Sequence, residues 1–144
     1  RGFVIPSAHF DVAVTADGLL RVVNPGARRI ETFTADGDLL GQWGKASAEI
    51  DGFFGCCNPA DFTVLPDGRF VTAEKGIPRI KIYSPKGELE CVVADPQMLG
   101  QTVSAAQLNE DSGHTPTFDV AVDSSGRVLV LDPLTRQVRV FVRK

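Results

Sequence analysis

The stretch FDVAVTADGLLRVVNPGARRIETF, residues 10–33, is similar to two later segments of this 144-residue chain. They are ADFTVLPDGRFVTAEKGIPRIKIY at residues 60–83 and FDVAVDSSGRVLVLDPLTRQVRVF at residues 118–141. The three segments are each 24 residues long and align without a gap. In every segment an aromatic residue follows a turn glycine by 15 positions: Phe33 after Gly18, Tyr83 after Gly68, and Phe141 after Gly126. This constant offset indicates one structural unit that is repeated three times.

Each unit has the pattern of β-strands joined by tight turns. The first strand, residues 11–14 in the first unit, is short and mostly apolar, and a turn that ends in glycine follows it. The second strand is apolar and the third alternates, as in residues 79–83. A second turn then leads to a fourth strand, predicted at residues 39–43 and 90–94. Four consecutive strands of this kind form one antiparallel sheet.

The spacing of the units predicts the architecture. Successive turn glycines are 50 and 58 residues apart, at or a little above the roughly 40–50 residues of a β-propeller blade. A single sheet cannot cover both of its faces, so such sheets stack as blades around an axis. We therefore predict an all-β chain, residues 1–144, that forms one β-propeller segment of four-stranded antiparallel blades. The blades span approximately residues 10–44, 60–94 and 118–144.

The predicted ring is incomplete. Three blades are fewer than the roughly four to eight of a closed propeller, and the third unit stops before its fourth strand. Residues 2–5 are predicted as an N-terminal strand that comes from, or completes, another blade. The chain is either about half of a larger propeller or one partner of a homodimer that closes a ring. Six blades in total are preferred.

Composition excludes several classes of protein. With 43% hydrophobic residues, 23% charged residues and a net charge of −3, the chain has the composition of a globular protein. Its 15 basic residues are interspersed with 18 acidic ones, so nucleic acid is not expected as a partner. No apolar run approaches the roughly 20 residues of a membrane span. The start at Arg1 instead of Met suggests a trimmed or processed product, and a periplasmic or secreted location is preferred to a cytoplasmic one.

The second unit carries a family resemblance. The relevant features are residues 58–64, the Asp67-Gly68 turn, the Arg79-Ile80 pair and the closing Tyr83. Together they resemble the NHL repeat, in which proline, an apolar strand, Asp-Gly, a second apolar strand, Arg-Ile and an aromatic residue follow one another. The third unit departs from it with Gln137-Val138. The resemblance implies a platform that binds protein or RNA or, in related six-bladed folds, a lyase or lactonase.

Propeller topology predicts where a ligand binds. Loops from strand four to strand one and from strand two to strand three emerge on the same face, around the central channel. This loop-rich channel face is the predicted binding site for a protein or small ligand. Its predicted ligand-binding residues are Asn24, Arg28, Arg29, Glu74, Lys75, Arg79, Asp132 and Arg136.

Two interpretations stay open for these residues. The arginines form either an anion-binding rim or structural locks between adjacent blades. Glu74 and Lys75 form either an ion pair that holds their loop or a catalytic pair, and the second role requires burial that shifts their pKa.

A metal site is the alternative at the same face. His9, Cys56, Cys57 and His114 have side chains that suit Zn or Cu, and Ca is a third candidate. Similar channel histidines hold a metal in peptidylglycine-amidating lyases, so the alternative function is a metal-dependent lyase or hydrolase. The competing interpretation is that the adjacent cysteines, which lack the spacing of a zinc knuckle, pack as small hydrophobic residues. No catalytic residue is identified.

Longer connections and aromatic residues complete the predictions. The connection at residues 95–117 is expected to lie over the channel face, with a short helix at residues 103–108. Trp43, Phe53 and Phe54 are expected to pack in the core or between blades, and not to form a binding cage.

Overall fold

The structure is a computed structural model that describes residues 2–6, 8–102 and 117–143. These residues form three antiparallel sheets. Blade 1 contains β1 (Val12–Val14), β2 (Leu20–Asn24), β3 (Arg29–Phe33) and β4 (Leu39–Trp43), with a 3-10 helix at Pro25–Ala27. Blade 2 contains β5 (Asp61–Val64), β6 (Phe70–Ala73), β7 (Ile80–Tyr83) and β8 (Leu89–Ala94). Blade 3 contains β9 (Asp119–Val122), β10 (Val128–Asp132) and β11 (Gln137–Phe141). The prediction of an all-β, incomplete set of blades is confirmed.

Strand register explains the constant offset from glycine to aromatic residue. The turn glycines have positive φ, for example 86° at Gly68, a conformation that a side chain disfavours. After the turn, β2, β6 and β10 each pair with the following strand so that the closing aromatic residue lies opposite a fixed position. The pairs are Leu20 with Phe33, Phe70 with Tyr83, and Val128 with Phe141.

Two apolar cores join the three blades. The core between blades 1 and 2 is built around Phe53, and Trp43 packs on Phe53 and Tyr83 with ring centroids 6.1 and 4.9 Å away. Trp43 and Phe53 are thus core residues, as expected. The core between blades 2 and 3 contains Val71, Ala73, Ile80, Ile82, Phe118, Val120, Val128 and Val130. Blade 2 is therefore covered by a neighbour on both faces.

Residues 2–5 are not a strand in this structure. The Val4 N–H donates to Asn24 Oδ1 at 3.0 Å, and its carbonyl accepts the Gly26 N–H at 2.8 Å. The first of these contacts has a counterpart one blade later, where the Phe54 N–H points to Glu74 Oε2 at 3.5 Å. Residues 2–5 thus contact their own blade as residues 52–55 contact blade 2, which corrects the prediction of an N-terminal strand.

Two further findings concern the remaining predictions. The predicted helix at residues 103–108 lies outside the described residues. Within the described ranges, no helix is long and apolar enough to cross a membrane.

Candidate functional site

Loops from neighbouring blades meet at one face of the molecule. The side-chain amide of Asn58, in the connection that leads into blade 2, binds Lys75 in the loop between β6 and β7. The Lys75 N–H donates to Asn58 Oδ1, and Asn58 Nδ2 donates to the Lys75 carbonyl, both at 2.9 Å. The Arg28 guanidinium of blade 1 donates to the Gly55 carbonyl at 2.6 Å. The two classes of loop that were assigned to the channel face are therefore in contact.

A polar pair recurs at the same two repeat positions in all three blades. The pairs are Asn24 with Glu31 at 3.0 Å, Glu74 with Lys81 at 2.6 Å, and Asp132 with Arg139 at 2.6 Å. In each pair the first residue follows or ends the second strand of its blade, and its partner lies on the third strand. Three of the predicted ligand-binding residues thus have a partner inside their own blade.

The pair in blade 2 is part of a buried ion cluster. Glu74 lies between Arg79, at 2.7 Å, and Lys81, at 2.6 Å. Lys81 also donates to the carbonyl oxygens of Ile50 and Gly52, at 3.0 and 2.8 Å. Burial lowers the pKa of Lys81 to about 8, against the raising effect of Glu74. Lys81 was not identified from the sequence.

This cluster corrects the predicted ion pair of Glu74 and Lys75, which the structure does not form. The partners of Glu74 are Arg79 and Lys81, not Lys75. The reason is the hairpin: the Glu74 N–H donates to the Arg79 carbonyl at 3.0 Å, so these residues lie opposite each other, whereas side chains of adjacent residues point apart.

The four candidate arginines of the rim differ in their surroundings. Arg28 binds the Gly55 carbonyl, Arg29 binds Glu31 at 2.6 Å, and Arg79 binds Glu74. For Arg136, which has a φ of 57°, the described part of the chain shows no side-chain hydrogen bond or ion pair. The contact of Arg28 with the connection into blade 2 favours a structural lock between blades, whereas Arg29 and Arg79 bind carboxylates of their own blades. Arg136 remains a candidate for the anion-binding rim.

Lys75 differs from every other buried charge in the described ranges. Its side chain is 1% exposed, and its ammonium has no hydrogen-bond partner there. His9 lies near it, since burial first and the Lys75 charge second lower the pKa of His9. His9 Nε2 is 3.0 Å from Thr117 Oγ1. A buried charge without a partner is costly, so an unpaired ammonium is not expected of a residue that only supports the fold.

The predicted metal ligands are only partly described. The sulfur atoms of Cys56 and Cys57 are 3.1 Å apart. Cys57 is buried, as expected for a small hydrophobic residue, and Cys56 is half-buried. Across residues 2–6, 8–102 and 117–143, no group of three His, Cys, Asp or Glu side chains is placed to hold a metal ion. His114 lies outside these ranges, so the four-residue site stays a prediction.

Three aspartates at the start of the inner strands were not identified from the sequence. Asp11, Asp61 and Asp119 occupy the second position of each repeat and approach one another. Burial, followed by a hydrogen bond with Asp119, raises the pKa of Asp61 to about 9. The recurrence of one polar residue at one position of every repeat was the signal that could have revealed them.

Comparison with known proteins supports the fold. No protein-family model matches the chain, and no curated protein matches its sequence. Among solved structures, a protein of unknown function from Bacteroides caccae is 19% identical, with a TM-score of 0.53 over 95% of this chain and 46% of the other. Virginiamycin B lyase from Staphylococcus aureus is 13% identical, with a TM-score of 0.55 over 97% of this chain and 43% of the lyase. The chain thus spans less than half the length of either protein and has the fold of a β-propeller segment.

Proposed function

We propose that this chain belongs to an NHL-type, six-bladed propeller that acts as a binding platform, and that its channel face recognises an anionic group of a protein or small ligand. The observation that carries this proposal is the buried ammonium of Lys75, which has no hydrogen-bond partner in the described ranges. A carboxylate or phosphate would supply the missing partner.

The surroundings of Lys75 support an anionic ligand. Both backbone polar groups of Lys75 are bound by Asn58, so the position of the side chain is restricted before any ligand arrives. Preorganisation of this kind reduces the entropy that binding costs. The neighbouring His9 adds a second hydrogen-bonding side chain at the same face.

Thermal unfolding in the presence of inorganic phosphate, acetate or an acidic peptide tests the proposal. A probe at about 100 times its Kd is expected to stabilise the folded chain by roughly 2.7 kcal/mol. Lys75→Met should abolish that stabilisation. Lys86→Met, which removes an exposed lysine from the turn before β8, should retain it. Equal stabilisation of both variants by all three probes would argue against a site at Lys75.

The second candidate function is a metal-dependent lyase or hydrolase. Two observations favour keeping it: a protein of similar fold is virginiamycin B lyase, and burial lowers the pKa of His9, which favours the neutral imidazole that binds metals. The proposed ligands are His9, Cys56, Cys57 and His114, with Zn, Cu or Ca as the ion.

Metal analysis of the purified chain separates the two functions. The lyase candidate requires stoichiometric Zn, Cu or Ca, and loss of that metal in Cys56→Ser and His9→Ala. If the chain contains no stoichiometric metal after incubation with each ion, the lyase candidate is excluded and the binding platform is the remaining function.

A further inference from the structure

The inner-strand aspartates link each blade to the next. The Phe62 N–H of blade 2 donates to Asp11 Oδ2 of blade 1 at 3.3 Å. The Val120 N–H of blade 3 donates to Asp61 Oδ2 of blade 2 at 2.7 Å. In both junctions the donor is the residue that directly follows the aspartate of its own blade. The rule is therefore that an aspartate accepts the N–H of the residue that follows the corresponding aspartate in the next blade.

The two ends of the chain carry the two halves of this contact. At the start, no preceding blade offers a carboxylate to Val12, and its N–H donates to its own Asp11 Oδ1 at 2.7 Å. At the other end, Asp119 has the position of the accepting carboxylate, but this chain contains no following blade. One terminal blade thus offers a donor and the other an acceptor.

The same ends expose apolar faces that are buried inside the chain. On blade 3, Val138 is 60% exposed, whereas Ile80 at the same repeat position of blade 2 is 0% exposed. On blade 1, Val12 is 54% exposed, whereas its counterpart Phe62 is 3% exposed. The exposed face of blade 1 also contains Phe3 and Val14, and that of blade 3 contains Leu131 and Val140.

The exposed faces of blade 3 and blade 1 correspond to the two faces that meet at an internal junction. In the core between blades 2 and 3, Ile80 of the earlier blade and Val120 of the later blade belong to one buried cluster. Val138 is the repeat counterpart of Ile80, and Val12 is the repeat counterpart of Val120. Blade 3 of one copy can therefore precede blade 1 of another copy as blade 2 precedes blade 3.

We propose that a second copy of this chain covers both faces, so that two copies form a head-to-tail closed ring in which Asp119 of each accepts the Val12 N–H of the other. Two identical junctions related by a two-fold axis close such a ring with six blades. The lengths agree, because this chain covers 46% and 43% of the two solved propeller-like structures. The proposal does not depend on the anion site.

A complementation experiment tests the pairing of faces. Val12→Asp introduces a buried charge into the junction through blade 1, and Val138→Lys does so through blade 3. Each variant alone should sediment as a single chain while its circular dichroism stays that of the wild type. An equimolar mixture should form a two-chain particle, because one junction is then wild type and the other pairs the new Asp with the new Lys. The control Val92→Asp, on the outer strand of blade 2, should remain a two-chain particle.

Three results would overturn the proposal. One is a wild-type chain that has single-chain mass at every concentration up to its solubility limit. That result would mean that a second copy does not cover the exposed faces. Another is a Val138→Lys variant that still forms two-chain particles alone. The last is a mixture that stays monomeric although both variants are folded and the wild type is dimeric.

Discussion

Blade 2 and blade 3 have closely similar repeats but very different surroundings. All four residues of β7 (Ile80–Tyr83) are buried, whereas none of the five residues of β11 (Gln137–Phe141) is. The alternation of polar and apolar residues that the sequence shows in both strands therefore does not decide burial: both faces of β7 are buried, whereas the apolar residues Val138 and Val140 of β11 are exposed. In a propeller, burial is a property of the position in the ring and not of the blade sequence, because each face is covered by a neighbouring blade.

Removing the charge of Glu74 should reveal the largest difference in stability between blades 2 and 3. Glu74→Gln leaves Arg79 and Lys81 without their counter-charge inside blade 2, and the expected loss of unfolding free energy is about 3–5 kcal/mol. The matched change Asp132→Asn in blade 3 should cost only about 1 kcal/mol, since its partner Arg139 is partly exposed. Urea unfolding measures both. Equal losses would contradict the difference in burial.

Shortening an apolar side chain at one repeat position gives the next largest difference. Ile80→Ala should destabilise the chain by about 2–5 kcal/mol, because a cavity forms in the core between blades 2 and 3. Val138→Ala should change stability by less than about 0.5 kcal/mol in dilute solution, where each chain is separate. At higher concentration, ring closure by a second copy would raise the cost of Val138→Ala. Chemical denaturation at two protein concentrations distinguishes these cases.

The aspartate junction predicts a pH dependence of stability. The folded-state pKa of Asp61 is raised above its ordinary value of 3.8 to about 9, so the folded chain binds more protons than the unfolded chain between these values. The contribution of Asp61 to the free energy of unfolding is thus complete below about pH 4 and is lost as the pH rises towards 9. Its slope cannot exceed about 1.4 kcal/mol per pH unit, since one proton is involved.

Denaturant unfolding of Asp61→Asn across the same pH range checks this prediction. The slope between about pH 5 and pH 9 should flatten in the variant, because the carboxyls of Asp11 and Asp119 then face an uncharged amide. An unchanged slope would assign the pH dependence to other groups.

The cysteines give the smallest expected effect. Cys57→Ser places a hydroxyl in an apolar, buried position and should cost about 1 kcal/mol. Cys91 is exposed on β8, so Cys91→Ser should leave the melting temperature unchanged. A loss of bound metal on Cys57→Ser, measured by elemental analysis, would indicate ligation instead of packing.

Much of the fold could be predicted from local signals. Gly68 and Tyr83 mark the turn and the register of blade 2, because positive φ and strand pairing depend on residues close in sequence. The candidate site was less predictable. Glu74 was recognised, but its partner Lys81 was not, since the pairing requires the two strands to be aligned in three dimensions. The sequence predicts a strand at residues 2–5, because apolar residues that approach a blade face resemble a short strand in sequence.

The sequence by itself determined the repeat, the turns and the antiparallel blades, because each of these depends on side chains a few positions apart. Only the tertiary structure decided which charges are buried, that Arg28 binds the connection into blade 2, and that Lys75 has no hydrogen-bond partner among the described residues. The physical reason is that desolvation and ion pairing depend on the blades that pack on either side. The same packing turns an aspartate of one repeat, such as Asp61, into the acceptor for the next.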